Sequence, residues 1–375
     1  MQLLTRIPPW FASSLVVMLL LAWSGTAIAA HPFLLRDHPG VMLAPKGQVE
    51  ISLEYLMMND TVDIFDIRDE EIESVNRNLQ STTLGDLNGG RLLINYGLLS
   101  LTTLHGEYTY RNVDLSVSDF QVHSLELSVR QGLLGYESKG WPLVALDAGV
   151  RLNFGEDIHF DQIDRINSVL RLVNPDLSIN DTGSDLVFSD GTNNYEVSKA
   201  GRDPLKASIE DLLDHTWFIR LTVGKPLGPV LPNLFAEYGH NEIDSRITSN
   251  IDQYLPASIF PAVSALPLEL DRSENYWKVG CNLHFSLPFD LQGYLEYHYL
   301  RMDRDNGLDF VDYNHVVKGN LAYFLTDYLA INLGASYYSR QFNGVIPFLY
   351  NEYTQTGFDH DYAFVHMGLS GIFGP

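Results

Sequence analysis

The chain has 375 residues, with 24 lysine and arginine side chains against 47 aspartates and glutamates, giving a formal net charge of −23 at pH 7. A surplus of that sign repels phosphate backbones and excludes nucleic acid as a natural partner. One cysteine, Cys281, excludes an internal disulfide, and its place in an apolar stripe makes it a packing residue rather than a reactive thiol.

The N-terminus carries Arg6, an apolar run from Phe11 to Trp23 and then Ala27-Ile28-Ala29. This is the charged start, apolar middle and small-residue exit of a secretory signal peptide, predicted over residues 1–29. Residues 30–46 are expected to be a periplasmic N-terminal segment and 47–375 a single transmembrane domain. No later stretch supplies the roughly 18 consecutive apolar residues of a spanning helix, so the processed chain crosses a membrane as a barrel or not at all.

From Gly47 onward the dominant pattern has a period of two. Val49, Ile51, Leu53, Tyr55 and Met57 share one face, while Gln48, Glu50, Ser52 and Glu54 share the other, as successive side chains of a strand must. The same alternation sets Val144, Leu146, Ala148, Val150 and Leu152 against Asp147 and Arg151, and Trp277, Val279, Cys281, Leu283 and Phe285 against Lys278, Asn282 and His284. Turn signals between such runs place strands near residues 47–58, 89–98, 101–113, 119–131, 142–155, 215–225, 231–243, 273–286, 291–303, 311–324, 328–340 and 360–373. Tyr108, Tyr110, Tyr297, Tyr299, Tyr323 and Tyr337 fall on apolar faces near strand ends, where an amphipathic ring suits a lipid headgroup boundary.

An even strand count returns both termini to one side, and the connections then separate by length. Asp60 to Asn88, Glu156 to Asp214, Asp244 to Arg272 and Gln341 to Phe358 lie on one side, against Leu99-Ser100, Pro288-Phe289-Asp290 and Thr326-Asp327 on the other. Short periplasmic turns beside long external loops are the outer-membrane arrangement. In the longest loop Ile163, Ile166, Leu170 and Val173 recur at helical spacing, and Asp203-Pro204 opens a second short helix predicted through Leu213. That loop is expected to be folded, either as a lid on the rim or as a constriction dipping into the mouth.

The last strand alternates Val365, Met367 and Leu369 and reaches an aromatic Phe373, followed by Gly374 and Pro375. It resembles the C-terminal assembly signal of Gram-negative outer-membrane β-barrel proteins, and at class level the whole processed chain resembles them, without a motif of any one porin, transporter or enzyme family. The fold expected is all-β: a transmembrane antiparallel up-and-down barrel of about twelve strands with long extracellular loops, the third partly helical. The resemblance implies an integral protein of the bacterial outer membrane. Its surroundings would be outer-membrane lipid and lipopolysaccharide, and the barrel-assembly machinery would engage the Phe373 strand.

If the apolar faces meet lipid, parity alone lists the charges in the lumen. Glu50, Glu54, Glu107, Glu126, Asp147, Glu237 and Glu296 are opposed there by Arg91, Arg111, Arg130, Arg151, Arg220, Lys278, Lys318 and Arg340. Ionisable groups survive in a membrane only facing water or one another, so this near-balance predicts a wet or ion-paired interior whose charges set selectivity. Twelve strands fall between the eight that side chains just fill and the sixteen that leave an open channel, so a narrow pore and a plugged barrel are both admitted.

The function expected is a porin-like channel for passive passage of small polar or charged solutes. One alternative is a structural or adhesive barrel with a plugged lumen that acts through its acidic external loops. The other is a lipid-modifying hydrolase, which parity opposes: His123 and Ser124 are adjacent and face opposite sides, while the correctly spaced His284 and Ser286 face the lumen at the periplasmic end. No catalytic residue, metal site or cofactor is assigned. Asp60, Asp63, Asp66, Asp69, Glu70, Glu71 and Glu73, and further on Asp176, Asp181, Asp185 and Asp190, lack the spacing of a calcium loop and read as solvated acidic surface.

Overall fold

Hydrocarbon gives a backbone amide no hydrogen-bond partner, so a sheet that crosses it must pair every strand on both sides. A computed structural model of the chain describes residues 33–36, 39–58, 86–114, 119–137, 140–160, 163, 166–167, 176–254, 270–304, 308, 311–340, 343–350 and 361–374. The signal segment predicted over 1–29 lies outside them. The strands in chain order are β1 (Val49–Met58), β2 (Asp86–Leu99), β3 (Thr102–Asp114), β4 (Asp119–Leu134), β5 (Leu143–Gly155), β6 (Ile158–Phe160), β7 (Ser178–Asp181), β8 (Asp185–Ser189), β9 (Asn194–Ser198), β10 (Ala207–Gly224), β11 (Val230–Ser249), β12 (Arg272–Leu287), β13 (Leu291–Arg304), β14 (Tyr313–Thr326), β15 (Leu329–Tyr338) and β16 (Tyr362–Phe373).

β1 to β5 and β10 to β16 form one antiparallel ring of twelve strands in sequence order. β16 closes it on β1, with Phe373 opposite Val49 and Val365 opposite Met57. Every strand read from the alternation is present, with ends moved by a few residues except in β10 and β11. No helix among the described residues is long and apolar enough to cross a bilayer.

Parity holds around the ring. Leu53 of β1 is 64% exposed on the outside, and Trp217, Ile219, Leu221 and Val223 of β10 and Met367 and Leu369 of β16 are exposed there too, while Glu50, Ser52 and Glu54 are buried inside. Cys281 is among the outward, exposed residues. A continuous exposed apolar band is untenable in water and is what a lipid-facing surface requires. Rings gather at both of its edges. Near the extracellular strand ends His123 stacks on Phe154 at 5.0 Å beside Tyr108 and Tyr110, Tyr238 meets Trp277 and Trp217, and Tyr297, Tyr299 and Tyr313 surround His315. At the periplasmic ends Trp141, Phe289, Tyr323 and Tyr328 are exposed. Such girdles mark the two interfaces of a bilayer.

β10 and β11, with 18 and 20 residues, rise beyond the ring as a long hairpin. The short helix expected from Asp203 through Leu213 is corrected: Ala207 to Leu213 is strand, paired with β11 from Ser249 to Asp244 and flanked by β6. The ladder slips between Glu210 and Leu213, where Asp211 takes φ 57°. That slip shifts the alternation by one place and leaves Leu205, Ile209 and Leu212 at a helix-like spacing. The other expected helix, from Phe160 to Val173, falls mainly outside the described residues.

β7, β8 and β9 form a separate three-stranded sheet in the same loop, with Leu177, Ile179, Leu186 and Phe188 buried against Leu205, Ile251 and Tyr254. Of the acidic stretch here, Asp181 is paired with Lys199 at 2.7 Å, which lowers its carboxyl pKa, and Asp190 is lowered by the backbone N–H groups of Asn193 and Thr192. The stretch from Asp60 to Glu73 lies outside the described residues.

The lipid-facing assignment makes a quantitative prediction. Leu53→Arg places a cation on the outer face near mid-strand and is expected to destabilise the folded barrel by about 2–4 kcal/mol in urea titrations in lipid vesicles. An effect within about 0.5 kcal/mol, the usual range for exposed sites in water, would refute the assignment.

Candidate functional site

Charges carried inward on neighbouring strands can lower their desolvation cost only by pairing. The register arranges this. Arg130 of β4 lies opposite Asp147 of β5, which lies opposite Arg220 of β10, which lies opposite Glu237 of β11, which lies opposite Lys278 of β12. Signs therefore alternate across five adjacent strands. Arg130 Nε donates to Asp147 Oδ1 at 2.7 Å, while Arg220 Nε at 2.5 Å and Lys278 Nζ at 2.7 Å take separate oxygens of Glu237. A second row sets Arg151 on Glu126 at 2.6 Å, and Arg91 on Glu54 at 2.5 Å. Glu296 lies opposite Lys318 and accepts from Tyr294, with His298 Nδ1 at 2.7 Å. Glu107 accepts from Thr109 at 2.8 Å, and Arg111 donates to Ser124 Oγ at 2.9 Å.

Fourteen of the fifteen charges read from parity thus point inward, and Arg340 departs. It lies beyond the end of β15, donates to the hydroxyl of Tyr313 at 2.8 Å and rests over that ring on the outer face. Alternation fails there because the strand has ended.

Residues expected to lie in the periplasm instead fold back into the barrel. Residues 33–36 and 39–46 cross the inside of the periplasmic mouth as a strap. Leu34 packs on Ala322, Phe324 and Ala330, while Val41 packs on Ala145 and Leu231. Glu50 receives the amides of Leu35 at 2.9 Å and Arg36 at 2.8 Å, and the Arg36 guanidinium pairs with Glu54. Further along, Asn282 donates to the Pro39 carbonyl, Arg130 to Met42 at 3.2 Å, and Thr103 Oγ1 accepts from the Ala44 amide at 2.8 Å. In the adjacent turn Tyr136 donates to the Val41 carbonyl, and burial pushes its hydroxyl up to about 12, so it remains a donor. Gly97 makes the passage possible, since a Cβ there would sit 1.9 Å from the Pro45 oxygen. Arg36 holds φ 46°, a left-handed conformation that costs a non-glycine residue about 1 kcal/mol or more and persists because these contacts impose it.

The extracellular mouth is closed by a different segment. Ile346, Phe348 and Tyr350, after β15, are buried against the inward residues Leu56, Met58, Val113, Val122 and Ile243. Arg304 anchors them: it pairs with Glu274 at 2.6 Å, donates to Asn343 Oδ1 at 2.5 Å and lies 3.8 Å from the Tyr350 ring centre. Arg272 donates to the Pro347 carbonyl at 2.7 Å, and Asp214 Oδ2 accepts the Phe348 amide at 3.2 Å. Among the described residues the mouth is entered by the loop after β15, with Ile158 and Ile209 of the longest loop packed against the same cluster. Its signal was the apolar run Ile346-Pro347-Phe348-Leu349-Tyr350 in a polar loop. Glu274 and Arg304 obey the parity of Lys278 and Glu296 and were within reach of the same argument.

Between strap and loop a cavity of about 140 Å³ remains, floored by Pro39 and roofed by Asn343, Gly344 and Val345. Arg91, Glu107, Arg111, Glu126, Arg151, Arg220, Lys278, Glu296 and Lys318 line its wall with Ser124, Ser336 and Tyr338. His284, the histidine with the spacing of a hydrolase pair, is buried in the periplasmic half of the lumen against Phe33 and Tyr294.

No family model and no curated protein matches the chain. Among solved structures it is similar to the NanC porin at 8% identity and a TM-score of 0.39, covering 86% of this chain and 98% of that one. It is similar to the translocator domain of the autotransporter NalP from Neisseria meningitidis at 8% identity and a TM-score of 0.44, covering 88% and 90%. For the P. putida toluene transporter TodX the figures are 9% identity and 0.40, with 88% and 91% covered.

The shared carboxylate of Glu54 ties strap to wall, which predicts the cost of losing it. Glu54→Gln removes the carboxylate that Arg36 and Arg91 share and is expected to destabilise the barrel by about 3 kcal/mol in urea unfolding. Arg246→Gln, on the exposed hairpin, is expected to change it by less than about 1 kcal/mol. Equal effects would mean that the lumen pairs carry no special weight.

Proposed function

We propose that the protein is an integral barrel of the bacterial outer membrane that works as a porin-like channel for small polar or charged solutes. Residues 1–29 would be its secretory signal, lipopolysaccharide its outer-leaflet neighbour and the Phe373 strand its contact with the barrel-assembly machinery. The observation that carries the channel reading is where the lumen is filled. The wall itself leaves a charged space at mid-height, and among the described residues two short chain segments separate that space from the two mouths. A barrel built as an inert plug has no reason to leave its centre polar and empty of side chains, because desolvated charge facing a void gains nothing. A channel does: solute and water pass through the cavity while strap and loop limit access to it.

Planar-bilayer recording tests this. The processed chain is expected to give small, flickering single-channel currents, and a variant lacking residues 33–44 is expected to give openings several-fold larger because the periplasmic mouth loses its strap. Silence from both proteins, with folding verified by heat-modifiable migration, would defeat the channel reading and favour the barrel that acts through its external loops.

A further inference from the structure

The cavity wall is not neutral. Six basic side chains, Arg91, Arg111, Arg151, Arg220, Lys278 and Lys318, face three carboxylates across it. The pairing explains how this excess is held. Glu237 serves both Arg220 and Lys278, Glu54 serves both Arg91 and Arg36, and Arg111 has no carboxylate within ion-pair distance among the described residues. Glu50 and Asp147 stand beside these two clusters, so Arg111, which rests on the Ser124 hydroxyl, is among the described residues the cavity cation held by no ion pair. Of the other polar groups of the lining, Ser124, Ser336 and Tyr338 have hydroxyl hydrogens to donate, while the Asn343 amide hydrogens go to the carbonyls of Val311 and Tyr313 and His298 lies on Glu296.

This concentration of positive charge occurs in a chain whose net charge is −23, so composition does not produce it. A low-dielectric wall around such a cluster focuses its field on the enclosed space, where an anion gains far more than it would at an exposed surface. Guanidinium groups also present paired N–H donors that match the two oxygens of a carboxylate or the face of a phosphate.

We propose that the mid-barrel cavity is a binding site for small oxyanions, carboxylate or phosphate, and that Arg111 is its principal unshared cation. As a statement of which solutes are carried, this rests on the channel reading above; as a binding site it stands without transport.

Calorimetry on the detergent-folded full chain, titrated at matched ionic strength with sodium phosphate and, separately, sodium malonate, tests the site. Saturable binding of at least one is expected, and the stronger of the two identifies the preferred oxyanion. Arg111→Gln is expected to weaken it about tenfold, and Arg111→Lys to restore part of the loss. Lys318→Gln gives an independent reading if Arg111→Gln does not fold, while Arg246→Gln, on the distant hairpin, leaves binding unchanged. Absence of saturable binding of either anion, or equal binding by wild type, Arg111→Gln and Lys318→Gln, overturns the proposal. Reversal potentials in a potassium chloride gradient separate it from the channel reading. Anion preference that falls in Arg111→Gln supports both, binding without current retains the site and removes the channel, and cation-selective current removes the anion assignment and keeps the channel.

Discussion

Closure of the sheet is the constraint from which the rest follows. In hydrocarbon each unpaired backbone amide or carbonyl costs several kcal/mol, so β16 must find β1 and every intervening strand must hold two neighbours. The register from Val49–Phe373 to Met57–Val365 supplies the last ladder. Once the ring is closed, side-chain parity is no longer a tendency but a partition: odd and even positions of each strand see different solvents. The outward set is then selected for lipid, and the inward set inherits every charge the strands carry.

That inheritance sets the electrostatic problem inside. Carboxylates and guanidinium groups held on a closed wall cannot move apart, and burying either without a partner is costly. The alternating row from Arg130 to Lys278 solves it through register, because residues directly opposite on adjacent strands lie closest. Strap and extracellular loop use the same groups. Glu50 and Glu54 hold the strap as well as Arg91, and Arg304 holds both Glu274 and the loop. Wall and fillings are therefore one network, and a change in a wall charge acts on access to the cavity as well as on stability.

The strands were legible because lipid and lumen impose opposite demands at intervals of two residues, a signal repeated twelve times. Fourteen lumen charges followed from the same parity. What parity could not supply was anything off the ladder. The strap has no period: Arg36 acts through a left-handed backbone and a fold-back that only tertiary contacts impose. Asp214 was assigned to a loop although it is an inward strand residue, because the slip beside it hid the alternation. Arg340 was assigned inward because the sequence gives no sign that β15 ends at Tyr338. Each error lies where the regular ladder stops and local geometry takes over.

The distribution of sign completes the physical picture. A chain this acidic keeps much of its negative charge outside the ladder, in connections such as β7 to β9 with Asp176, Asp181, Asp185 and Asp190. Exposed carboxylates in water interact through a high dielectric and are screened within about 8 Å at physiological salt, so the loops contribute little potential deep in the barrel. Charges at the cavity lie between low-dielectric walls and are screened far less. The field at mid-barrel is thus governed by the few groups that touch it, among which basic side chains outnumber carboxylates. If the cavity takes oxyanions as proposed, an anion meets weak repulsion at the loops and attraction within, an inversion that net charge alone conceals.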